Sequence, residues 1–289
     1  MDFDNSWEAL LKPGEAGSYF EVHNGDPFRV DAPGYDGLNA WWLAELCRLV
    51  YRQGDDEVEH ALSPVRNKIL KRVGLEEQSF FNVDGTQCAI VKPRGSAGQP
   101  FKLLVFRGTD DLEAGLTDVN FILDDWSGPG QVHQGFRDAF EAVWKQVEQE
   151  LDRVDGPAFY TGHSLGASLA TLAAALKQPR ALYTIGSPRT GDAVFRDSLA
   201  GARIYRIVNN RDVVTTVPPA IGFHHVGELH YIAHDGRVLV EPDDNTVAAD
   251  RLKRDQTASH DLKHFFTDAP EPLADHAPVN YVAHLERAV

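Results

Sequence analysis

The spacing of apolar and polar residues changes period several times along the chain. In residues 39–53, NAWWLAELCRLVYRQ, Trp42, Leu46, Leu49 and Val50 fall on one side of a helix. The spacing predicts a helix there, with Asn39 as its cap, and a second helix over 57–73. From Phe80 to Val91 the period drops to two, breaks at Asp84-Gly85 and resumes at CAIV, which predicts a hairpin. KLLVF, residues 102–106, is an apolar run of the kind found in strands covered on both faces. An amphipathic helix is expected over 135–155. A strand at 158–161, a glycine-flanked turn and an alanine-rich helix over 167–178 follow. ALYTIGSP and RIYRIVN read as two more buried strands, and LHYIAHDGRVLV, residues 229–240, as a hairpin turning at Asp235-Gly236. The first 37 residues are rich in Gly, Pro and Asp and read as an irregular arm with short strands near 19–22 and 28–30. Residues 241–289 are charged and helix-forming, with proline breaks near 270–278.

This order of strand, helix, strand, helix, strand predicts an α/β fold with a mostly parallel central sheet flanked by helices. There is no internal repeat and no sharp shift of composition. The 289 residues are therefore read as a single domain, 1–289, with 1–74 as an N-terminal arm and helices.

Composition narrows the function classes. Hydrophobic residues make up 43% and charged residues 25%, as in globular proteins. The net charge of −15 repels phosphate backbones and anionic surfaces at long range, so nucleic acid is not an expected partner. Adsorption to neutral lipid through an apolar patch stays open. The two cysteines, Cys47 and Cys88, sit in apolar runs and read as buried free thiols. The opening Met1-Asp2-Phe3-Asp4 is acidic and does not read as a secretory signal. Location is left open between the cytoplasm and export by a signal outside this sequence. No run approaches eighteen apolar residues, so no transmembrane segment is expected.

The chemistry is concentrated in Gly162-His163-Ser164-Leu165-Gly166, set between the strand AFYT and the helix ASLATLAAALK. G-x-S-x-G alone is a short motif. Within a strand–turn–helix unit it predicts a nucleophile elbow, with flanking glycines relieving the crowding around Ser164. His163 is read as a packing or hydrogen-bonding residue. A serine nucleophile needs a histidine base oriented by a carboxylate, in chain order Ser, acid, His. Asp212, just past the strand RIYRIVN, is the favoured acid, with Asp192 as runner-up. His276, in the loop-like LADHAPVNY, is the favoured base, and His284, in the helical YVAHLERAV, is second. An oxyanion hole is expected from the amide of Leu165 and from Thr109, which follows KLLVF in FRGTD. His224-His225 lacks the carboxylate spacing of a metal site, so no metal is assigned.

FRGTDD, VHQGFRDAF, GHSLGASLA, YTIGSPRTGD, IVNNRDVVTTVPP and DHAPVNY, in that order over about residues 75–285, resemble the class 3 lipase family of fungal-type lipases and their bacterial relatives. The resemblance implies an α/β-hydrolase fold, no cofactor, and a triad of Ser164, Asp212 and His276, with Thr109 and Leu165 as the oxyanion hole. It also implies lipid ester substrates, triacylglycerol first, met at a lipid–water interface. Short-chain esterase, feruloyl esterase, monoacylglycerol lipase and phospholipase A1 are the nearest alternatives. An amidase or acyltransferase, and a non-catalytic lipid-binding protein of the same fold, are more distant ones. The family's lid maps to 110–130, where Leu112, Leu116, Val119, Phe121, Ile122, Leu123 and Trp126 alternate with acids. PPAIGFHHVGEL and the Trp41-Trp42 helix are the other candidate covers. The secreted fungal relatives carry disulfides that two cysteines cannot reproduce in number. Chain-length preference and oligomeric state are not fixed by the sequence.

Overall fold

The structure, a computed structural model, describes residues 3–13, 18–23, 25–52, 64–95, 98–109, 121–257 and 269–289. In chain order the elements are helices α1 (Trp7–Leu11), α2 (Gly37–Leu49) and α3 (Pro64–Arg72), then strands β1 (Leu75–Val83), β2 (Thr86–Pro93) and β3 (Lys102–Phe106). A small hairpin of β4 (Leu123–Asp125) and β5 (Gln131–His133) precedes the long helix α4 (Gln134–Arg153). Then come β6 (Ala158–His163), α5 (Leu165–Leu176), β7 (Ala181–Ile185), α6 (Ala193–Ser198) and β8 (Ile204–Asn209). The chain continues through β9 (Glu228–Ile232), β10 (Val238–Val240), α7 (Asp244–Thr257), α8 (Glu271–Ala274) and α9 (Pro278–Ala288).

Eight strands form one sheet in the order β1-β2-β3-β6-β7-β8-β9-β10. The pairings from β3 to β9 are parallel, and the outer hairpins are antiparallel. The central strands are apolar throughout because both faces are covered. On one face α2 and α9 bury Trp41, Leu46, Tyr281 and Val282 against Val105, Tyr183 and Ile207. On the other, α4 and α5 bury Phe140, Val147, Leu169 and Leu172 against Leu104, Tyr160 and Leu182. The sheet therefore matches the α/β arrangement expected from the sequence.

Two local readings change, and a third lies partly outside the described residues. Asp36, not Asn39, caps α2, its carboxylate accepting the Asn39 N–H at 2.9 Å. The Asn39 side chain instead clamps the arm, accepting from Arg29 N–H at 2.8 Å and donating to Arg29 C=O at 2.9 Å. The stretches 19–22 and 28–30 form no strands, yet the arm is part of the core. Tyr19, Phe20, Phe28 and Val30 are buried, and the Phe20 ring lies 5.0 Å from Trp42. Finally, α3 begins at Pro64, the earlier part of the predicted helix lying outside the described residues. Both cysteines are buried and free, as expected.

The parallel strands all deliver loops to one end of the sheet. Gly108 follows β3, Ser164 follows β6, Gly186 follows β7 and Asp212 follows β8. That is where open α/β sheets place ligands. Because α2 packs on one face of the sheet, Trp41→Ala, which empties a fully buried indole site, is expected to lower stability by about 3–5 kcal/mol. Urea unfolding followed by circular dichroism would measure it.

Candidate active site

At the end of β6 the backbone of Ser164 is forced to φ +58°, a region that non-glycine residues rarely occupy. Its N–H is held by Ile185 C=O at 3.0 Å, and its C=O accepts Ala167 N–H at 2.9 Å. The turn has no spare volume. A Cβ at Gly162 would fall 2.1 Å from Gly166 O, and one at Gly166 would fall 2.3 Å from Phe106 O. The two glycines of the motif are thus required by backbone contact. Ser164 itself is only 3% exposed.

Asp212 and His276, both buried, meet directly, with His276 Nδ1–H donating to Asp212 Oδ2 at 2.8 Å. That bond leaves Nε2 on the side of the ring away from the carboxylate, buried and with no hydrogen-bond partner among the described residues. His276 lies, as the sequence suggests, in a loop, the turn between α8 and α9, but it is fully buried there. Gly186, at φ +59°, makes room for the pair: a Cβ there would lie 2.7 Å from Asp212 Oδ2 and 3.1 Å from His276 Nδ1.

The runner-up residues have other work. Asp192 caps α6 by accepting Phe195 N–H at 2.7 Å. His284 lies within α9, its ring 4.5 Å from that of Phe3. His225 donates or accepts only locally, Nε2–H to Thr215 C=O at 2.9 Å.

Two tyrosines complete the arrangement, and sequence analysis assigned neither. Tyr281 O–H donates to Asp212 Oδ2 at 2.6 Å and accepts Asn209 N–H at 3.0 Å. Burial and the Asp212 charge push the Tyr281 phenol well above its ordinary range, so it stays a donor. The second Asp212 oxygen accepts Val214 N–H at 2.9 Å. On the base side, His163 Nε2–H donates to His276 C=O at 2.8 Å, which leaves Nδ1 to accept the Tyr51 hydroxyl at 2.9 Å. Burial, with His276 nearby, drives His163 well below the usual histidine range and keeps it neutral. The only sequence signal for Tyr281 was its position five residues after His276. Tyr51 had none, because the contact joins residues 112 apart.

Gly108 packs on the elbow. A Cβ there would meet Tyr51 Oη at 2.1 Å, His163 O at 2.7 Å and Ser164 Cβ at 3.1 Å. Thr109 follows at the mouth, half-buried, and Leu165 opens α5, where first-turn amides have no intrahelical acceptor. The geometry thus brings all five predicted residues to one end of the sheet.

Residues 110–120 of the candidate lid lie outside the described residues. Just after them, Phe121 and Ile122 are exposed. Of the alternative covers, Trp41 and Trp42 are buried in the core and are not a cover, whereas Ile221 in the other segment is 91% exposed.

The Lipase (class 3) family profile matches residues 103–222, which span the β3 strand, the elbow and the acid loop. A lipase of Rhizomucor miehei is 34% identical over 158 residues, covering 48% of this chain and 43% of that protein. A phospholipase A1-II 6 of Oryza sativa subsp. japonica is 36% identical over 209 residues, covering 53% of this chain and 51% of that protein. Among solved structures, lipase II from Rhizopus niveus aligns with a TM-score of 0.53 and 26% identity, covering 66% of this chain and 84% of that one. Over residues 103–222 the chain is similar to class 3 lipases, and it has an α/β-hydrolase fold. It spans about two fifths of the length of the R. miehei lipase.

Two buried histidines set an expectation for pH. His163 and His225 are both held neutral by burial, well below the usual histidine range. Once pH falls below the ordinary histidine pKa, the unfolded chain binds protons that the folded chain does not. Stability is then lost on the acid side, approaching about 1.4 kcal/mol per pH unit for each histidine. Denaturation midpoints between pH 8 and pH 5 should show this limb, and His225→Gln should reduce its slope by one histidine's share.

Proposed function

We propose that the protein is a serine carboxylic ester hydrolase acting on lipid esters, foremost a triacylglycerol lipase, working through an acyl-enzyme. The observation that carries this reading is the buried 2.8 Å pair of His276 and Asp212 beside a serine elbow at φ +58°.

In this mechanism Ser164 Oγ attacks the ester carbonyl while His276 Nε2, the ring nitrogen that Asp212 leaves available, takes the hydroxyl proton. The carbonyl π pair moves to oxygen, and the oxyanion is stabilised by the Leu165 amide and by Thr109. Such donors are worth about 3 kcal/mol each where charge develops away from water. The tetrahedral intermediate collapses, His276 gives its proton to the departing alcohol, and the acyl group stays on Ser164. Water, deprotonated by the same nitrogen, then releases the carboxylic acid. Asp212 holds the imidazole in the useful tautomer and stabilises the imidazolium. Tyr281 and Val214 keep that carboxylate pointed at Nδ1. In this reading residues 1–289 act as one domain, and part of 110–130 covers the acyl site. No cofactor or metal takes part in any step.

The similarity to a plant phospholipase A1 supports a second reading, in which the same site cleaves one acyl ester of a phospholipid. A panel of p-nitrophenyl esters of rising chain length, emulsified triacylglycerol and phosphatidylcholine vesicles separates these. Turnover of long chains that rises when the emulsion forms supports the lipase. Preference for vesicles supports the phospholipase, and activity confined to soluble short esters overturns both.

Three variants test the assignment. Ser164→Ala should lower kcat by about a million-fold and Asp212→Asn by about ten-thousand-fold. Tyr281→Phe, which removes one donor to Asp212, should lower kcat about tenfold with KM unchanged.

A further inference from the structure

Asp212 is presented by a turn at the end of β8, closed by Asp212 N–H donating to Asn209 C=O at 2.8 Å. Within the turn Asn210 sits at φ +32°, in the left-handed region that a non-glycine residue enters only at a cost. Asn210 is fully buried, and helix α7 holds it at two points. Asp250 accepts Asn210 Nδ2–H at 2.8 Å, and Arg251 Nε–H donates to Asn210 C=O at 2.9 Å. The Asn210 N–H goes to Ile232 C=O of β9 at 3.0 Å. A backbone held on both sides in this way can keep an unfavourable φ.

The Asp250 carboxylate is buried and well supplied with donors. Besides Asn210 it accepts Tyr231 O–H at 3.0 Å, His234 N–H at 2.9 Å and His234 Nδ1–H. Burial by itself would raise its pKa, but the hydrogen bonds from His234 and Tyr231 outweigh that and hold the carboxyl below its ordinary range. Tyr231 and His234 are enough to fasten α7 to β9 and the turn after it. The bonds to Asn210 do something else, because they reach the turn whose shape decides where Asp212 points.

The base turn grips the same segment. Asp275, the residue before His276, accepts Asn209 Nδ2–H on its C=O at 2.9 Å and Arg211 N–H on its carboxylate at 3.1 Å. The acid and base turns are thus tied to each other, and α7 fixes the acid turn from a third element. A shift of about 1 Å in groups that orient a reaction can cost about a hundredfold in rate.

We propose that α7 is a positioning element for the triad, in which Asp250 and Arg251 hold Asn210 and so keep Asp212 aimed at His276. Neither residue touches the reacting atoms. The kinetic part of this role rests on the proposed ester hydrolysis, while the structural part concerns the Asp212–His276 bond alone.

The test compares full-length wild type, Asp250→Asn, Arg251→Met and Asp243→Ala. Each is assayed on a soluble p-nitrophenyl ester, and the low-field proton of His276 Nδ1–H is followed by NMR without substrate. Asp250→Asn keeps the shape of the side chain but turns one acceptor into a donor, so the donors around it lose a partner. It should lower kcat about tenfold with KM unchanged, and shift or broaden the His276 resonance. Arg251→Met, which keeps the apolar stem and removes the donor to Asn210 C=O, should change both readouts in the same direction. Asp243→Ala is the control for a general loosening of α7. Asp243 accepts Thr246 N–H at 2.8 Å in the first turn of the helix, so its loss should lower the unfolding midpoint while kcat and the resonance stay as in wild type. An unchanged resonance and kcat in Asp250→Asn and Arg251→Met would overturn the proposal, as would an equal loss of kcat in Asp243→Ala. The resonance needs no turnover, so a wild type inactive on every ester would sink the hydrolase reading, and the resonance would still decide whether α7 holds the triad.

Discussion

The arrangement at the head of the sheet depends on one desolvated carboxylate. Asp212 is fully buried, and a buried charge is tolerated only when hydrogen bonds replace the water it has lost. Three donors do so: His276 Nδ1–H, Tyr281 O–H and Val214 N–H. Each comes from a different piece of structure, namely the turn at His276, helix α9 and the 3-10 turn that Asp212 itself caps. The need to satisfy Asp212 ties the last fourteen residues of the chain to the centre of the sheet. Helix α9 packs beside α2 over the same strands, and the carboxylate and the hydrophobic core therefore fix the same geometry.

The second constraint is room. The elbow, the β3 loop and the β7 loop converge within van der Waals distance, and the chain meets this with glycines at 108, 162, 166 and 186, none of which could carry a Cβ without collision or strain. The positive φ of Ser164 is sustained by the bonds on either side of it and by the packing of α5. Strain of this kind persists only where the surroundings over-determine the backbone, and that is the condition under which a serine oxygen can be held ready for attack.

The polar surroundings of Asp212 are built from neutral donors and acceptors. His163 relays Tyr51 to the carbonyl of His276 in its neutral form. Tyr281 stays protonated against Asp212. Neutral partners avoid the desolvation penalty of a second buried charge while still fixing direction.

Much of this was legible in the sequence because it is written in short-range patterns. The apolar run KLLVF, the alternation from Phe80 and the G-x-S-x-G turn each follow from backbone geometry over a few residues, and they determined the strands, the sheet class and Ser164. Chain order and strand ends were enough to favour Asp212 and His276 as the pair. Local pattern failed where a residue's partner lay far along the chain. Asn39 looked like a cap but clamps Arg29, and the arm looked irregular but supplies Tyr19 and Phe20 to the core. His276 does lie in a turn, but its complete burial was not legible there. Tyr51 reaching His163, and Asn210 gripped by Asp250, could be decided only by the tertiary structure, because burial and hydrogen-bond partnership belong to the packed chain and not to any window of its sequence.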